Sequence, residues 1–202
     1  MQTQGLCQRI AQALHRAWIP ILTFALTYLI AVSIGVALVH TGNAFALSSR
    51  DGIVAGAETS HILQAFHEGN RFYAALLDFG ANLFAACANS ISGLTIIVPY
   101  PVAAYRGWVI GIVSVDSTHA SRLASPDSAL YYVLTVMLQL IPYSLAGGAG
   151  VNLGVAFLWP QPVYRGERWL GLPKEAIRDL FRIYALVIPL FLVASLWEFL
   201  AA

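Results

Sequence analysis

Residues 18–40 read WIPILTFALTYLIAVSIGVALVH, a run with no Asp, Glu, Lys or Arg. It exceeds the ~20 apolar residues that carry a helix across a ~30 Å hydrocarbon core. Arg9, His15 and Arg16 stand before it. A basic flank ahead of an apolar core is also the layout of a signal peptide, with Ala44-Phe45-Ala46 in the place of a cleavage site. A signal peptide's apolar core is only ~7–15 residues, so this longer run reads as a retained anchor. Pro20 falls in the first turn of that span, where its missing N–H costs nothing.

The rest of the chain repeats the pattern. Phe79–Tyr105 and Ser128–Tyr164 also lack Asp, Glu, Lys and Arg, and Ile183–Trp197 becomes a span if it runs on to Ala202. The 202-residue chain is 58% hydrophobic and 10% charged, with a mean hydropathy of +0.70. Soluble domains hold about 45–50% apolar and ~25% charged residues, so this composition belongs to an integral membrane protein. The 11 Lys+Arg and 10 Asp+Glu leave a net charge of +1, without the basic footprint of a nucleic-acid partner. Cys7 and Cys87 make no disulfide framework.

The fold expected is all-α: a polytopic bundle of about five transmembrane helices, some broken by Pro or Gly, in one membrane domain over residues 1–202. The spans are placed at about 18–40, 73–97, 102–119, 128–159 and 181–202. Pro99-Tyr100-Pro101 is the natural turn between spans two and three, since two prolines remove donors and fix φ. Arg106 then lies near a membrane face, with a stem long enough to snorkel. Span four, about 32 residues and ~48 Å as a helix, tilts, protrudes or breaks, and Pro142 is the expected break.

Charge sets an orientation. Arg9 and Arg16 precede span one, and Arg165, Arg168, Lys174 and Arg178 fall near the loop 160–180. The loops around 41–72 and 117–127 hold only Arg50, Arg71 and Arg122. The positive-inside rule then puts the N-terminus in the cytoplasm, the C-terminus outside and Trp18, Trp108 and Trp159 at the cytoplasmic interface. In the outer loop 41–72, Glu58, His61 and Glu68 on one helical face, with Ile62, Phe66 and Tyr73 on another, suggest an amphipathic helix lying on the membrane surface.

No zinc spacing, P-loop, dinucleotide fingerprint or nucleophile elbow is present, so no catalytic residue, cofactor or metal is expected. The five histidines are scattered, and Glu58, His61 and Glu68 read better as a solvated face than as metal ligands. The informative residues are polar groups inside spans: Asn82, Asn89, Ser92, Gln139, Tyr143, Asn152 and Glu198. Unpaired amides in hydrocarbon cost several kcal/mol, so these side chains point into the bundle, as interhelical glue or as the lining of a polar path. Ala146, Gly150 and Gly154 are spaced by four, as are Gly107 and Gly111, which permits close helix approach within the chain or at an oligomer interface. Glu198 is an acid in the last apolar stretch, and Asp78 and Asp116 are the other acids at comparable depth.

NLFAACANSISGLTIIVPYPVAAYRGWVIGIV, LQLIPYSLAGGAGVNLG and PLFLVASLWEFLA together resemble the stage II sporulation protein M family. Asn82, Gly93, Gly107 and Gly111 match that family's Asn-bearing helix, glycine and Gly-x-x-x-Gly entry into the next helix, and Glu198 stands at its acidic position. The resemblance covers about residues 18–202. Where the family carries a His after its proline, this chain has Tyr143, and where the family carries the Glu that follows, it has Gly147. A tyrosine donates a hydrogen bond but carries no charge at neutral pH.

Two functions follow as expectations. The resemblance implies a non-enzymatic scaffold or subunit of a complex in the cell membrane, partnered by the bilayer and by itself or other membrane proteins, without nucleic acid. The amides and broken helices allow instead a small channel or transporter, its path lined by Asn82, Asn89, Gln139, Asn152 and Glu198.

Overall fold

A computed structural model describes residues 5–159 and 161–201. Pro160, at the head of the loop 160–180, and Ala202, at the end of span five, lie outside the described residues. Among the described residues the fold is all-α apart from one short hairpin. Its helices are α1 (Leu6–His40), α2 (Ala44–Glu58), α3 (His61–His67), α4 (Arg71–Ser92), α5 (Pro99–Ile112), α6 (Pro126–Leu158) and α7 (Lys174–Leu200). The hairpin pairs β1 (Arg168–Trp169) with β2 (Leu172–Pro173). Side-chain oxygens of Asn43, Ser60, Asn70 and Ser125 cap the first N–H groups of α2, α3, α4 and α6.

Among the described residues, four helices, namely α1, α4 with its 3-10 extension, α6 and α7, are long and apolar enough to cross a membrane. Span three is corrected. It begins at Pro99 rather than 102 and stops at Ile112, 14 residues and ~21 Å, short of a ~30 Å core. The chain cannot continue as helix because it folds back on itself: Val115 bridges Ser121, and Asp116 accepts from the N–H groups of Thr118 and Ala120. The turn before α5 is corrected too. Helix α4 ends at Ser92, a 3-10 turn covers Gly93–Thr95 and Ile96 takes φ 64°, so the chain turns over 93–98 and Pro99 and Pro101 start α5.

Proline placement differs from expectation elsewhere. Helix α1 starts at Leu6, which puts Pro20 inside it, and α6 runs unbroken through Pro142 for 33 residues. Core residues stand before and after each proline, Ala17 and Phe24 around Pro20 and Leu140 and Ala146 around Pro142, and anchor helices that propensity alone would break. In the segment 41–72 the chain stops at Thr59-Ser60, so Glu58 closes α2, His61 opens α3 and Glu68 caps α3. They share no single helical face. Ile62 and Phe66 pack with Leu196 and Phe199 of α7, so this apolar face covers the end of the bundle.

The helices run between two ends. One, the Arg16 end, holds the start of α1, the ends of α4 and α6, the hairpin and the start of α7; the other, the His40 end, holds α2, α3 and the turn 113–125. Trp108 stacks on Phe45 of α2, ring centroids 6.1 Å apart, so it stands toward the His40 end, opposite Trp18 and Trp159.

The core near the Arg16 end is built on backbone contacts. A Cβ on Gly150 would fall on the Ser90 backbone, one on Gly93 on the Gly150 backbone and one on Gly154 on the Gly93 carbonyl. Gly107 and Gly111 of α5 rest in the same way on Tyr28 and Val32 of α1. Ala146 is fully buried, and its carbonyl accepts from Ser90 Oγ. All five small residues of the sequence stripe are therefore occupied inside one chain, which leaves no exposed surface at them for a second.

Candidate functional site

Helix α5 packs chiefly on α1, while α4 and α6 pack on α7. Between these two blocks lies a cavity of about 660 Å³. Tyr28 of α1, Asp78 and Asn82 of α4, Arg106 of α5, Gln139 and Tyr143 of α6 and Glu198 of α7 all line it. Asp78 and Asn82 are one helical turn apart, as are Gln139 and Tyr143, so each helix presents a polar pair on one face.

These groups are joined. Arg106 lies over the Tyr143 ring, its guanidinium carbon 4.3 Å from the centroid, and Nη1 donates to the Tyr143 hydroxyl. That hydroxyl donates to Asn82 Oδ1 at 2.6 Å, and Asn82 Nδ2 donates to Asp78 Oδ2 at 2.8 Å. Ser195 Oγ of α7 donates to the same carboxylate oxygen at 2.7 Å. Gln139 Nε2 donates to Glu198 Oε2 at 3.0 Å, and the Tyr131 hydroxyl donates to the Glu198 carbonyl at 2.9 Å. Among the described residues, Arg106 makes no ion pair.

The two ends of the cavity differ. Toward the His40 end it shares Arg122, Tyr131 and Tyr132 with a second hollow of about 510 Å³ that also touches Asp116, Ser121 and Asp127. Toward the Arg16 end it stops at the Tyr143 and Phe191 rings, centroids 4.7 Å apart, and below them at the core of Phe24, Ala146 and Val187. A Cβ on Gly147 would fall on the Phe24 ring. The phenyl group thus fills the space beside the position where the resemblance places a glutamate.

The candidate residues separate into groups. Asn82, Gln139, Tyr143 and Glu198 come together in the cavity. Asn89 and Ser92 do not: Ser92 Oγ donates to the Asn89 carbonyl at 2.7 Å, at the end of α4 against α6. Asn152 lies at the Arg16 end, where Nδ2 donates to the Tyr164 hydroxyl at 2.9 Å. A continuous path through Asn82, Asn89 and Asn152 is therefore corrected to a cavity with one wall of tight packing. Arg106 is corrected as well, from a snorkelling residue to a cavity group. Asp116 does not join Asp78 and Glu198, because its carboxylate is held by Thr118 and Ala120; those donors hold it below the usual carboxylate range.

At the Arg16 end a second polar assembly fastens α1 to α7. Arg16 Nε and Nη2 donate to the two carboxylate oxygens of Asp179, each at 2.6 Å, and Asp179 is 1% exposed. Arg182 bridges Asp179 and Glu175 at 2.7 and 2.6 Å. The Tyr164 hydroxyl also donates to Asp179, and burial raises Tyr164 above the ordinary phenol range. Lys174 pairs with Glu167, so much of the basic loop is neutralised within the chain.

The Stage II sporulation protein M profile matches residues 21–200, which contain the cavity, the whole of α4, α6 and α7, and α1 from Ile21 onward. Searches of curated proteins and of solved structures find no match.

Proposed function

The chain belongs to the stage II sporulation protein M family, and from that premise we propose that it acts as a non-enzymatic, multi-pass subunit of a complex in the plasma membrane. Arg9, Arg16, Arg165, Arg168, Lys174, Arg178 and Arg182 lie at the Arg16 end, against Arg50, Arg71 and Arg122 at the other. The positive-inside rule puts the Arg16 end in the cytoplasm and opens the cavity outward. The observation that supports a receptor subunit over a pore is the blind end of that cavity. Polar groups from five helices line it, and the Tyr143 and Phe191 rings with the core of Phe24, Ala146 and Val187 close its Arg16 end.

Partners then dock on the exposed outer elements and on the lipid-facing helices, since the small-residue stripe is consumed internally. In-membrane crosslinking followed by native mass spectrometry of the full chain is expected to give a discrete higher-mass species. A strictly monomeric chain without a co-isolated protein overturns this reading.

A transporter is the second reading, favoured by the convergence of Asp78, Arg106 and Glu198. In that case the cavity is the outward half of an alternating path. Proteoliposomes are then expected to take up a solute and to lose uptake in Glu198→Gln; absence of uptake across ions and small polar solutes removes it.

A further inference from the structure

We propose that the cavity is a receptor for a zwitterion, with the anionic group of the ligand on Arg106 and its ammonium group at Glu198 and Asp78. This rests on the reading of the cavity as an open binding element. A guanidinium has five N–H donors, and Arg106 commits one nitrogen, Nη1, to Tyr143. Stacked on the ring and without an ion pair among the described residues, it presents its remaining donors to the cavity. Such a group within a helix bundle requires an acceptor.

Two acids share the same space. Glu198 commits Oε2 to Gln139, and Asp78 commits Oδ2 to Asn82 and Ser195. A simple anion would meet Arg106 but be repelled by both acids, and a simple cation would be repelled by Arg106. A molecule carrying both charges satisfies both sides. The volume of about 660 Å³ lies in the range of small-molecule sites, ~300–1,000 Å³. An α-amino acid and an ethanolamine phospholipid headgroup both offer this chemistry. The apolar wall of Val102, Val109 and Val136 accepts the side chain of the one or the acyl region of the other.

The test is calorimetry on the full chain in a neutral detergent with four probes: L-alanine, phosphorylethanolamine, inorganic phosphate and ethanolamine. Native mass spectrometry after exchange into phosphatidylethanolamine or phosphatidylglycerol forms the lipid arm. At least one zwitterion is expected to bind ~10-fold or more tightly than phosphate and ethanolamine, a gap of about 1.4 kcal/mol. Arg106→Gln and Glu198→Gln are each expected to lose ~10-fold or more. L-Alanine binding assigns a soluble ligand, and selective retention of phosphatidylethanolamine assigns a lipid; both support the proposal. Should Arg106→Gln fail to fold, Arg106→Lys retains the cation, and Val109→Trp fills the cavity without touching a polar group and is expected to abolish binding. Phosphate binding as tightly as the zwitterions, no zwitterion binding in either arm, or wild-type affinity in Arg106→Gln, Glu198→Gln or Val109→Trp overturns it. Crosslinked assemblies are scored separately, so loss of zwitterion binding leaves the subunit reading standing.

Discussion

Arg106 lies over the Tyr143 ring, its guanidinium carbon 4.3 Å from the centroid, and the hydroxyl of that same ring passes a hydrogen bond on to Asn82. One side chain therefore supplies both a face for the cation and a link between α5, α6 and α4. Tyr143→Phe separates the two roles: the ring stays, the link is lost, and Arg106 and Asn82 each lose a partner. An unmade buried hydrogen bond costs about 1–3 kcal/mol, so unfolding in detergent is expected to show a loss in that range. Tyr143→Leu, which also removes the ring face, is expected to lose more.

The glycine crossings give substitutions of opposite sign. Gly150→Val would drive a side chain into the Ser90 backbone between α6 and α4. Overpacking of this kind costs ~1–3 kcal/mol or more. Gly52 lies in α2, where an added Cβ would meet nothing within 4 Å, and Gly→Ala in an open helix interior gains about 0.5–1 kcal/mol. Thermal unfolding of Gly150→Val and Gly52→Ala is thus expected to shift in opposite directions.

Asp179 is the shared acceptor for Arg16 and Arg182 at the Arg16 end. Asp179→Asn removes its charge while leaving two cations beside a buried amide. Breaking one partner of a buried pair costs about 3–5 kcal/mol, and the same is expected here by detergent unfolding. Arg16→Lys keeps the charge but loses the two-pronged geometry, so it is expected to fall between Asp179→Asn and the wild type.

A pH response is expected in the segment that holds α2. His119 and Arg50 hydrogen-bond Asp51 and hold its carboxyl below the usual range. A depressed carboxyl contributes stability above the ordinary carboxylate pKa and loses it as pH falls through the folded value. Hydrogen exchange over residues 44–58 is therefore expected to accelerate on acidification. Asp51→Asn is expected to exchange faster than wild type at neutral pH and to lose the acid-side change.

Long apolar runs were legible in the sequence because hydrocarbon demands them, and each of the four helices able to cross a membrane overlaps one of those runs, with α1 and α7 starting well before theirs. The short α5 was not. Its end depends on Asp116 capping a turn, a local preference that hydropathy averages away. In the cavity, Asn82, Gln139, Tyr143 and Glu198 were visible as polar residues in apolar surroundings. Their separation from Asn89 and Asn152 was not, because it depends on which helices leave a gap. A sharper signal was present: Tyr132, Val136, Gln139 and Tyr143 recur at helical spacing and define the α6 wall. Arg106 as a cavity group was not legible. Only the fold shows that the centre of a 14-residue helix lies over a ring from α6 rather than at a membrane surface.

The proposed function depends on a polar cavity that opens on one side of the membrane and is sealed on the other. Single cysteines at Asn82, Thr135 and Leu153, in a background with Cys7 and Cys87 replaced by serine, test this in oriented membranes with a membrane-impermeant maleimide. Asn82→Cys and Thr135→Cys are expected to react only from the outer face, and Leu153→Cys from neither. Reaction of Asn82→Cys from the cytoplasmic face, or protection of both cavity positions from both faces, would refute the one-sided cavity.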